Sequence, residues 1–224
     1  MIYAMNFDEN GNGDSGFEYP DGTTLPTGQV ACTFEQYQNP SQWTLVNGSL
    51  VQSLTYAKAT QSALIKQGFA NAVAAIPFTI NGTSYVLDTA QTKQAAYMAI
   101  VVAANNAMNH PVLWAASTSV AQYAVQLVGS SYLFCTVAGE TGTTAPTPPT
   151  TFGTPVTDGT VTWELYGRTL EMSDGTHAIF TPQELLSIFQ QVEVYVHYQK
   201  NQKLSLLAQI QAATTVSAVQ AIVW

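Results

Sequence analysis

A stretch rich in threonine and proline in the middle of the chain places the strongest constraint on its fold. Residues 144–155 contain four prolines. Proline lacks the backbone N–H donor and pushes its predecessor into extended geometry, so this stretch cannot form a helix. We therefore expect an extended crossover here.

The residues around this crossover predict short, paired strands. Asp158-Gly159 is a tight-turn pair, and residues 160–166 alternate in the manner of a half-buried strand. Upstream, residues 123–128 and 132–135 flank a second turn and indicate another hairpin. Residues 112–166 are therefore expected to form a small all-β module of three or four strands.

The order of these signals resembles that of the small β-modules in bacteriophage tail and fibre proteins. In that family a Tyr/Phe-rich strand pair precedes an A-G-x-S/T-G turn, a Pro/Thr crossover and the sequence V-x-D-G-T-V-T-W. Residues 132–139 (YLFCTVAG) and 156–163 (VTDGTVTW) occupy those positions here. The resemblance covers roughly residues 112–166 and implies a virion tail component that touches a host surface.

The aromatic residues of this module have two possible roles. Flat rings stack on the apolar faces of sugars, but a sheet of about 50 residues also needs large side chains for its core. Alternation assigns Trp163 to the core with Val161 and Leu165, whereas Tyr166 lies on the opposite face. The candidate ligand-binding residues are Trp114, Tyr123, Tyr132 and Tyr166.

Residues 1–53 are interrupted by Gly, Asn, Pro and Asp, and predict a β-rich docking segment. Strands are expected at residues 2–7 and 29–34, and a hairpin at residues 43–51 around Asn47-Gly48. Openings of this kind look like those of tail-fibre and tail-fibre-assembly proteins.

The two flanks of the module predict helices and hairpins. Residues 55–71 indicate a helix that Gly68 weakens near its end. Asn81-Gly82 predicts a hairpin, after which Asp88-Thr89 is expected to cap a helix that is apolar on most sides and therefore buried. The face expected to be apolar on the first helix comprises Ala57, Leu64, Ile65 and Phe69.

Beyond the module, Asp174-Gly175 predicts a further hairpin, and Thr181-Pro182 begins a long helix. The helix could form a three-stranded seam with two other copies, interrupted by the polar Lys203. A short helix at residues 216–222 follows. The expected seam comprises Leu185, Phe189, Val192, Val196, Lys203, Leu207 and Ile210.

This arrangement resembles a domain of unassigned function that recurs at the C-termini of phage tail-fibre-associated proteins. In that family the two halves are nearly contiguous, whereas here the β-module interrupts them. The expected fold is α+β, with a segment at 1–53, a discontinuous helix/hairpin domain at 54–111 plus 167–224, and the inserted module at 112–166. The residues that carry the resemblance are Val86-Leu87-Asp88, Asp174-Gly175-Thr176, Thr181-Pro182, Ala212-Ala213-Thr214 and Ile222.

Composition and spacing exclude several functions. The chain has 14 acidic and 6 basic residues, a formal charge of −8, which argues against nucleic-acid binding. The N-terminus lacks the features of a signal peptide, and no apolar run reaches membrane-spanning length. Only 9% of the residues are charged, which suits a subunit of a larger assembly. Cys32 and Cys135 have no C-x-x-C partner and are expected to be buried and reduced.

No motif indicates catalysis, a cofactor or a metal. The segment from Asp8 to Asp14 matches the start of a Ca²⁺ loop, but Tyr19 occupies the position of its bidentate glutamate. The three histidines have no metal-binding spacing. A depolymerase-like enzyme would require a long repetitive β-helix, and the sequence contains no such repeat.

The sequence therefore predicts a non-enzymatic structural component of a phage tail, in a fibre or baseplate, made in the host cytoplasm. Its expected partners are other tail proteins, a host-surface glycan or protein, and two further copies in a homotrimer. The alternative is a tail-fibre assembly chaperone that is absent from the mature fibre or caps it.

Overall fold

The chain has an α+β fold, as the sequence predicts, in which antiparallel strands form six small sheets. The computed structural model describes residues 1–224, except for the side chain of Gln91. In chain order the elements are β1 (Ile2–Phe7), β2 (Gly13–Tyr19), β3 (Val30–Cys32), α1 (Phe34–Gln38), β4 (Trp43–Val46), β5 (Ser49–Gln52), α2 (Leu54–Ala74), β6 (Ala75–Ile80), β7 (Thr83–Asp88), α3 (Gln91–Asn109), β8 (Ser119–Val120), β9 (Val125–Val128), β10 (Ser131–Val137), β11 (Gly139–Glu140), β12 (Val156–Asp158), β13 (Val161–Leu165), β14 (Arg168–Glu171), β15 (His177–Phe180), α4 (Pro182–Ala212) and α5 (Val216–Gln220).

The contacts divide the chain into two compact units, with boundaries that differ from the expected domains. One unit comprises residues 1–71 and 199–224, and the other comprises residues 72–198. Most of α2 therefore groups with the N-terminal segment and the C-terminus, because Ile65 packs with Ile210 and Val219 in one buried cluster. Residues 72–111 and 167–198 group with the β-module.

In the first unit, the N-terminal strands form a three-stranded sheet in the order β2-β1-β3. The strand predicted at residues 2–7 is confirmed, whereas the one predicted at 29–34 spans only Val30–Cys32. It ends there because Thr33 and Gln36 form a reciprocal capping box that starts α1. The hairpin at Asn47-Gly48 is confirmed, with both residues at positive φ.

Helix α2 shows a different role for Gly68 from the predicted one. A Cβ built on Gly68 would lie 2.5 Å from Cγ of Trp224. Glycine at this position therefore lets the terminal indole approach the helix backbone. Of the face expected to be apolar, Ala57 and Ile65 are buried, but Leu64 is 56% exposed, which corrects its predicted assignment.

In the second unit, the hairpins β6-β7 and β14-β15 pack with α3 and the first part of α4. Both predicted turns, Asn81-Gly82 and Asp174-Gly175, connect these strands. An isolated bridge joins Leu87 to Met172 between the two hairpins. The buried cluster comprises Phe78, Ile80, Leu87, Tyr97, Ala104, Leu170, Met172, Phe180, Leu185 and Ile188.

The start and the burial of α3 both differ from the prediction. Its N-cap is Ala90, because the carboxylate of Asp88 accepts from the backbone N–H of Ala90 and the hydroxyl of Thr89 donates to the carbonyl of Val73. Met98 is 63% exposed and Val102 is 53% exposed, so the helix is not buried on most sides.

Several positions of the expected seam of α4 have contacts within the chain. Thr181 and Glu184 form the predicted cap at its start. Leu185 is buried in the second unit and Ile210 in the first. The ammonium of Lys203 lies 4.1 Å from the ring centroid of Phe69. Leu185 and Ile210 therefore pack within the chain, and the three-stranded packing of the remaining positions stays a prediction.

Candidate ligand-binding site

Four antiparallel strands form the main sheet of the β-module, in the order β12-β13-β10-β9. The hairpin at Asp158-Gly159 and the hairpin between β9 and β10 are both confirmed. Residues 144–155 form neither helix nor strand, as the prolines predict. A second, two-stranded pairing of β11 with β8 accompanies the sheet.

One face of this sheet forms the module's core, and a buried carboxylate lies within it. Trp163 is fully buried there, as alternation predicts. Asp158 Oδ2 accepts from Nε1 of Trp114 at 2.7 Å and from Nε1 of Trp163 at 3.1 Å, while its Oδ1 accepts from the backbone N–H of Gly142 at 2.7 Å. The carboxylate therefore connects three separate parts of the module.

One of these hydrogen bonds explains the role of Trp114, which is one of the four candidate residues. Its indole N–H is already paired with Asp158, and its ring is half-buried against the core cluster. The ring therefore packs as a structural element of the module. The sequence could not have revealed this, because Trp114 and Asp158 are 44 residues apart.

The opposite face of the sheet carries the other aromatic candidates. Phe134 pairs with Val125 on one side and with Glu164 on the other, and Tyr132 pairs with Leu127. Paired residues project from the same face of an antiparallel sheet, so these side chains form one surface. This outer surface is separate from the core that contains Trp163.

An open cleft of about 290 Å³ lies at the edge of this outer surface. We refer to it as the Tyr123 cleft. Its size is at the lower end of the range for small-molecule sites. The lining residues are Tyr123, Val125, Phe134, Tyr166, Gly167 and Arg168.

Tyr123 combines an exposed ring with an anchored backbone. Its side chain is 74% exposed, and its φ of 68° is unusual for a residue with a Cβ. Its N–H donates to the carbonyl of Cys135 at 2.7 Å, and the N–H of Cys135 donates to the carbonyl of Ala124 at 2.9 Å. Two hydrogen bonds to β10 therefore hold the loop that presents the ring.

Tyr166 and Arg168 form the other side of the cleft. Nε of Arg168 donates to the hydroxyl of Tyr166 at 3.2 Å, and the guanidinium carbon lies 5.3 Å from the Tyr166 ring centroid. The N–H of Tyr166 also donates to the carbonyl of Tyr132 at 2.8 Å. These contacts hold the phenol in a defined position beside a cation.

Tyr132, the fourth candidate, lies in a different environment. It is buried and lines a separate cavity of about 490 Å³ between the module and the end of α3. The structure therefore places the side chains of Tyr123 and Tyr166 in one cleft, whereas those of Trp114 and Tyr132 do not line it. The other residues that line this second cavity are Asn106, Ala107, His110, Pro111, Val112 and Val125.

Four lining residues of the Tyr123 cleft are not among the candidates from the sequence: Val125, Phe134, Gly167 and Arg168. The sequence places Phe134 among the aromatic residues of the module and Arg168 at the start of a predicted hairpin. A signal for Arg168 was present, because it is the only arginine in the chain and follows Tyr166 by two positions. Because Arg168 and Tyr123 are far apart in the sequence, their proximity in the fold could not be predicted.

Asp8 and the two cysteines were the other residues considered for metal binding or reactivity, and their contacts belong to the fold. Asp8 accepts from the backbone N–H groups of Asn12 and Asn10, and these bonds lower its pKa, that of Asn12 most strongly. Cys135 is buried, as expected, whereas Cys32 is only half-buried. Partial or full burial raises the pKa of both thiols, which disfavours the reactive thiolate. Among the residues whose side chains are described, no group of three or more His, Cys, Asp or Glu is arranged to hold a metal ion.

None of the described helices has the length and hydropathy needed to cross a membrane.

Comparison with protein-family models, curated proteins and solved structures found no match to this chain.

Proposed function

We propose that this chain is a non-enzymatic structural component of a phage tail, in a fibre or baseplate, and that its β-module contributes to host attachment. Two properties of the sequence support the assignment to a tail. One is the ordered resemblance of residues 112–166 to tail and fibre modules, and the other is the low proportion of charged residues, 9%.

The exposed ring of Tyr123 is the observation that supports an attachment role most directly. Folding of the module accounts for Trp163, which fills the core, and for Trp114, which pairs with Asp158. It does not account for a tyrosine that is 74% exposed. Exposed aromatic rings at the edge of a cleft are typical of binding surfaces, where a ring supplies both apolar area and a polar group.

The backbone of Tyr123 strengthens this interpretation. A non-glycine residue in a sparsely populated backbone region costs about 1–3 kcal/mol, and such strain is concentrated at functional sites. Glycine or asparagine would occupy this position with less strain. The tyrosine ring therefore has to provide something other than stability, and ligand contact is the role we assign to it.

Quantitative mass spectrometry of purified virions from the encoding phage tests the assignment to a tail. The expected result is a copy number of this chain that is stoichiometric with the fibre or baseplate subunits. Multiples of three would also support a homotrimer. Abundance in the infected lysate together with absence from mature particles would refute the structural role and favour the assembly chaperone.

Binding of the purified full-length chain to host cells tests the attachment role. We expect Tyr123→Asn to weaken cell binding while leaving the urea midpoint unchanged or slightly higher, since asparagine tolerates positive φ. Tyr198→Ala is a matched control, because Tyr198 is also a strongly exposed tyrosine but lies on α4. Equal binding by the Tyr123→Asn variant and the wild type would contradict the role assigned to this ring.

A further inference from the structure

The only arginine of the chain lies in the Tyr123 cleft, beside its two exposed or half-buried tyrosines. The chain carries 14 acidic residues against 6 basic ones. Because acidic residues outnumber basic ones, a cation at a cleft is a distinctive feature of that site. This inference rests on the proposed attachment role and concerns the chemistry of its ligand.

The guanidinium of Arg168 retains donors for a ligand. Its Nε donates to Tyr166, which leaves the terminal nitrogens without a hydrogen-bond partner among the described side chains. No described carboxylate forms an ion pair with it. Glu171, at the other end of β14, pairs instead with Lys93 at 2.8 Å.

Guanidinium donors have a fork geometry that matches two oxygens of a carboxylate or a phosphate. The hydrogen bond from Nε to Tyr166 and the position over that ring restrict the guanidinium, so less side-chain freedom is lost when a ligand binds. Arg168 is therefore partly positioned for an anion before the anion arrives.

The other lining residues indicate what carries the anion. Tyr123, Phe134 and Tyr166 supply aromatic rings, and rings of this kind stack on the apolar faces of sugars. A volume of about 290 Å³ suits a single sugar residue, with the remainder of a polysaccharide outside the cleft. A small inorganic anion would use Arg168 but leave the three rings without a role.

We propose that the Tyr123 cleft binds one anionic sugar residue of a host-surface polysaccharide. Tyr123 and Tyr166 contact the ring of the sugar, and the terminal nitrogens of Arg168 donate to its anionic group. That group is a carboxylate, as in a uronic acid, or a phosphate ester. Both present paired oxygens to the same donors, and selective chemical treatment of the polysaccharide distinguishes them.

The test measures binding of the full-length chain to surface polysaccharide purified from the host strain. Three forms of the polysaccharide are compared: untreated, carboxyl-reduced so that each uronic acid becomes a neutral alcohol, and dephosphorylated with hydrogen fluoride. We expect one of the two treatments to weaken binding by about tenfold or more, as the loss of a charge-assisted hydrogen bond predicts. The effective treatment identifies the anion.

Arg168→Gln should weaken binding to the untreated polysaccharide by a similar factor and should no longer respond to the effective treatment. Lys66→Gln is the matched control, since it removes one exposed positive charge from α2 and should not change binding. Equal urea midpoints for Arg168→Gln and the wild type would exclude misfolding as the cause, and Tyr123→Asn provides a second variant that leaves Arg168 in place.

Several outcomes would overturn this inference. Binding that survives both treatments shows that the ligand does not depend on an anion. A wild-type chain that binds host cells but not their polysaccharide recognises a different surface molecule, and the attachment role then stands without this inference. A chain that is absent from virions and binds neither cells nor polysaccharide refutes both proposals.

Discussion

Replacement of Asp158 by asparagine tests whether the buried carboxylate stabilises the β-module. Asp158 is 5% exposed and accepts from two indoles and one backbone N–H. The asparagine side chain has one acceptor oxygen and one NH₂ group, so its NH₂ must face either Gly142 or the two indoles. At least one buried donor then loses its acceptor.

The magnitude follows from these three hydrogen bonds. A buried donor left unpaired costs about 1–3 kcal/mol, and bonds to a neutral oxygen are weaker than the roughly 1.5–3 kcal/mol of bonds to a charged one. One unpaired donor and two weakened bonds predict a loss of about 2–4 kcal/mol for Asp158→Asn. With a urea m-value of about 2 kcal/mol/M, the midpoint should fall by about 1–2 M.

Urea titration followed by the NMR signals of the Trp114 and Trp163 indole N–H groups measures this loss within the module. Asp174→Asn is the matched control. Asp174 occupies the same Asp-Gly-Thr triplet in the other hairpin, but it is exposed and accepts only from the N–H and hydroxyl of Thr176. Its replacement should shift the midpoint much less. Equal shifts for the two variants would refute the reasoning, because burial of the acceptor would then make no difference.

Three further substitutions test particular contacts, each by urea denaturation. Gly68→Ala should lower the free energy of unfolding by about 1–3 kcal/mol through its clash with Trp224, although alanine favours helix, and the sign should reverse in a Trp224→Ala background. Gln126→Met should leave stability unchanged or raise it by about 1–2 kcal/mol, since Oε1 of Gln126 is buried and has no partner among the described residues; a large loss would contradict this. The hydrogen bond from Lys93 lowers the pKa of Asp88, so the pair stabilises the fold above the ordinary Asp pKa of 3.8, and this contribution disappears as pH falls through the lower folded value. The difference in stability between the wild type and Lys93→Met should therefore be largest above about pH 4 and shrink toward pH 2, and a constant difference would exclude this linkage.

Local turn chemistry and alternation were sufficient to predict much of the strand structure. Asn47-Gly48, Asn81-Gly82, Asp158-Gly159 and Asp174-Gly175 each connect the hairpin that was expected. Trp163 faces the core because alternate residues of a strand project from opposite faces. These properties depend on backbone preferences within a few residues, so the sequence contains them directly.

The predictions that failed missed either a competing local signal or a distant partner. The capping box of Thr33 shortened a strand that propensity alone would have extended. The sequence indicates only that Gly68 weakens the end of its helix, whereas the structure shows that it gives space to the side chain of Trp224. Leu185 and Ile210 of α4 are buried against residues of this chain, and these contacts could not be predicted from the sequence alone.

The sequence by itself determined the hairpins, the crossover without helix or strand, and the opposite faces of Trp163 and Tyr166, because turn geometry and strand periodicity are local. Only the tertiary structure decided which rings form a site. The pairing of Cys135 with the Tyr123 loop and of Tyr132 with Tyr166 brings Tyr123 and Arg168 to one cleft. That arrangement depends on the register between strands far apart in sequence, and a one-residue change in register would move each side chain to the opposite face.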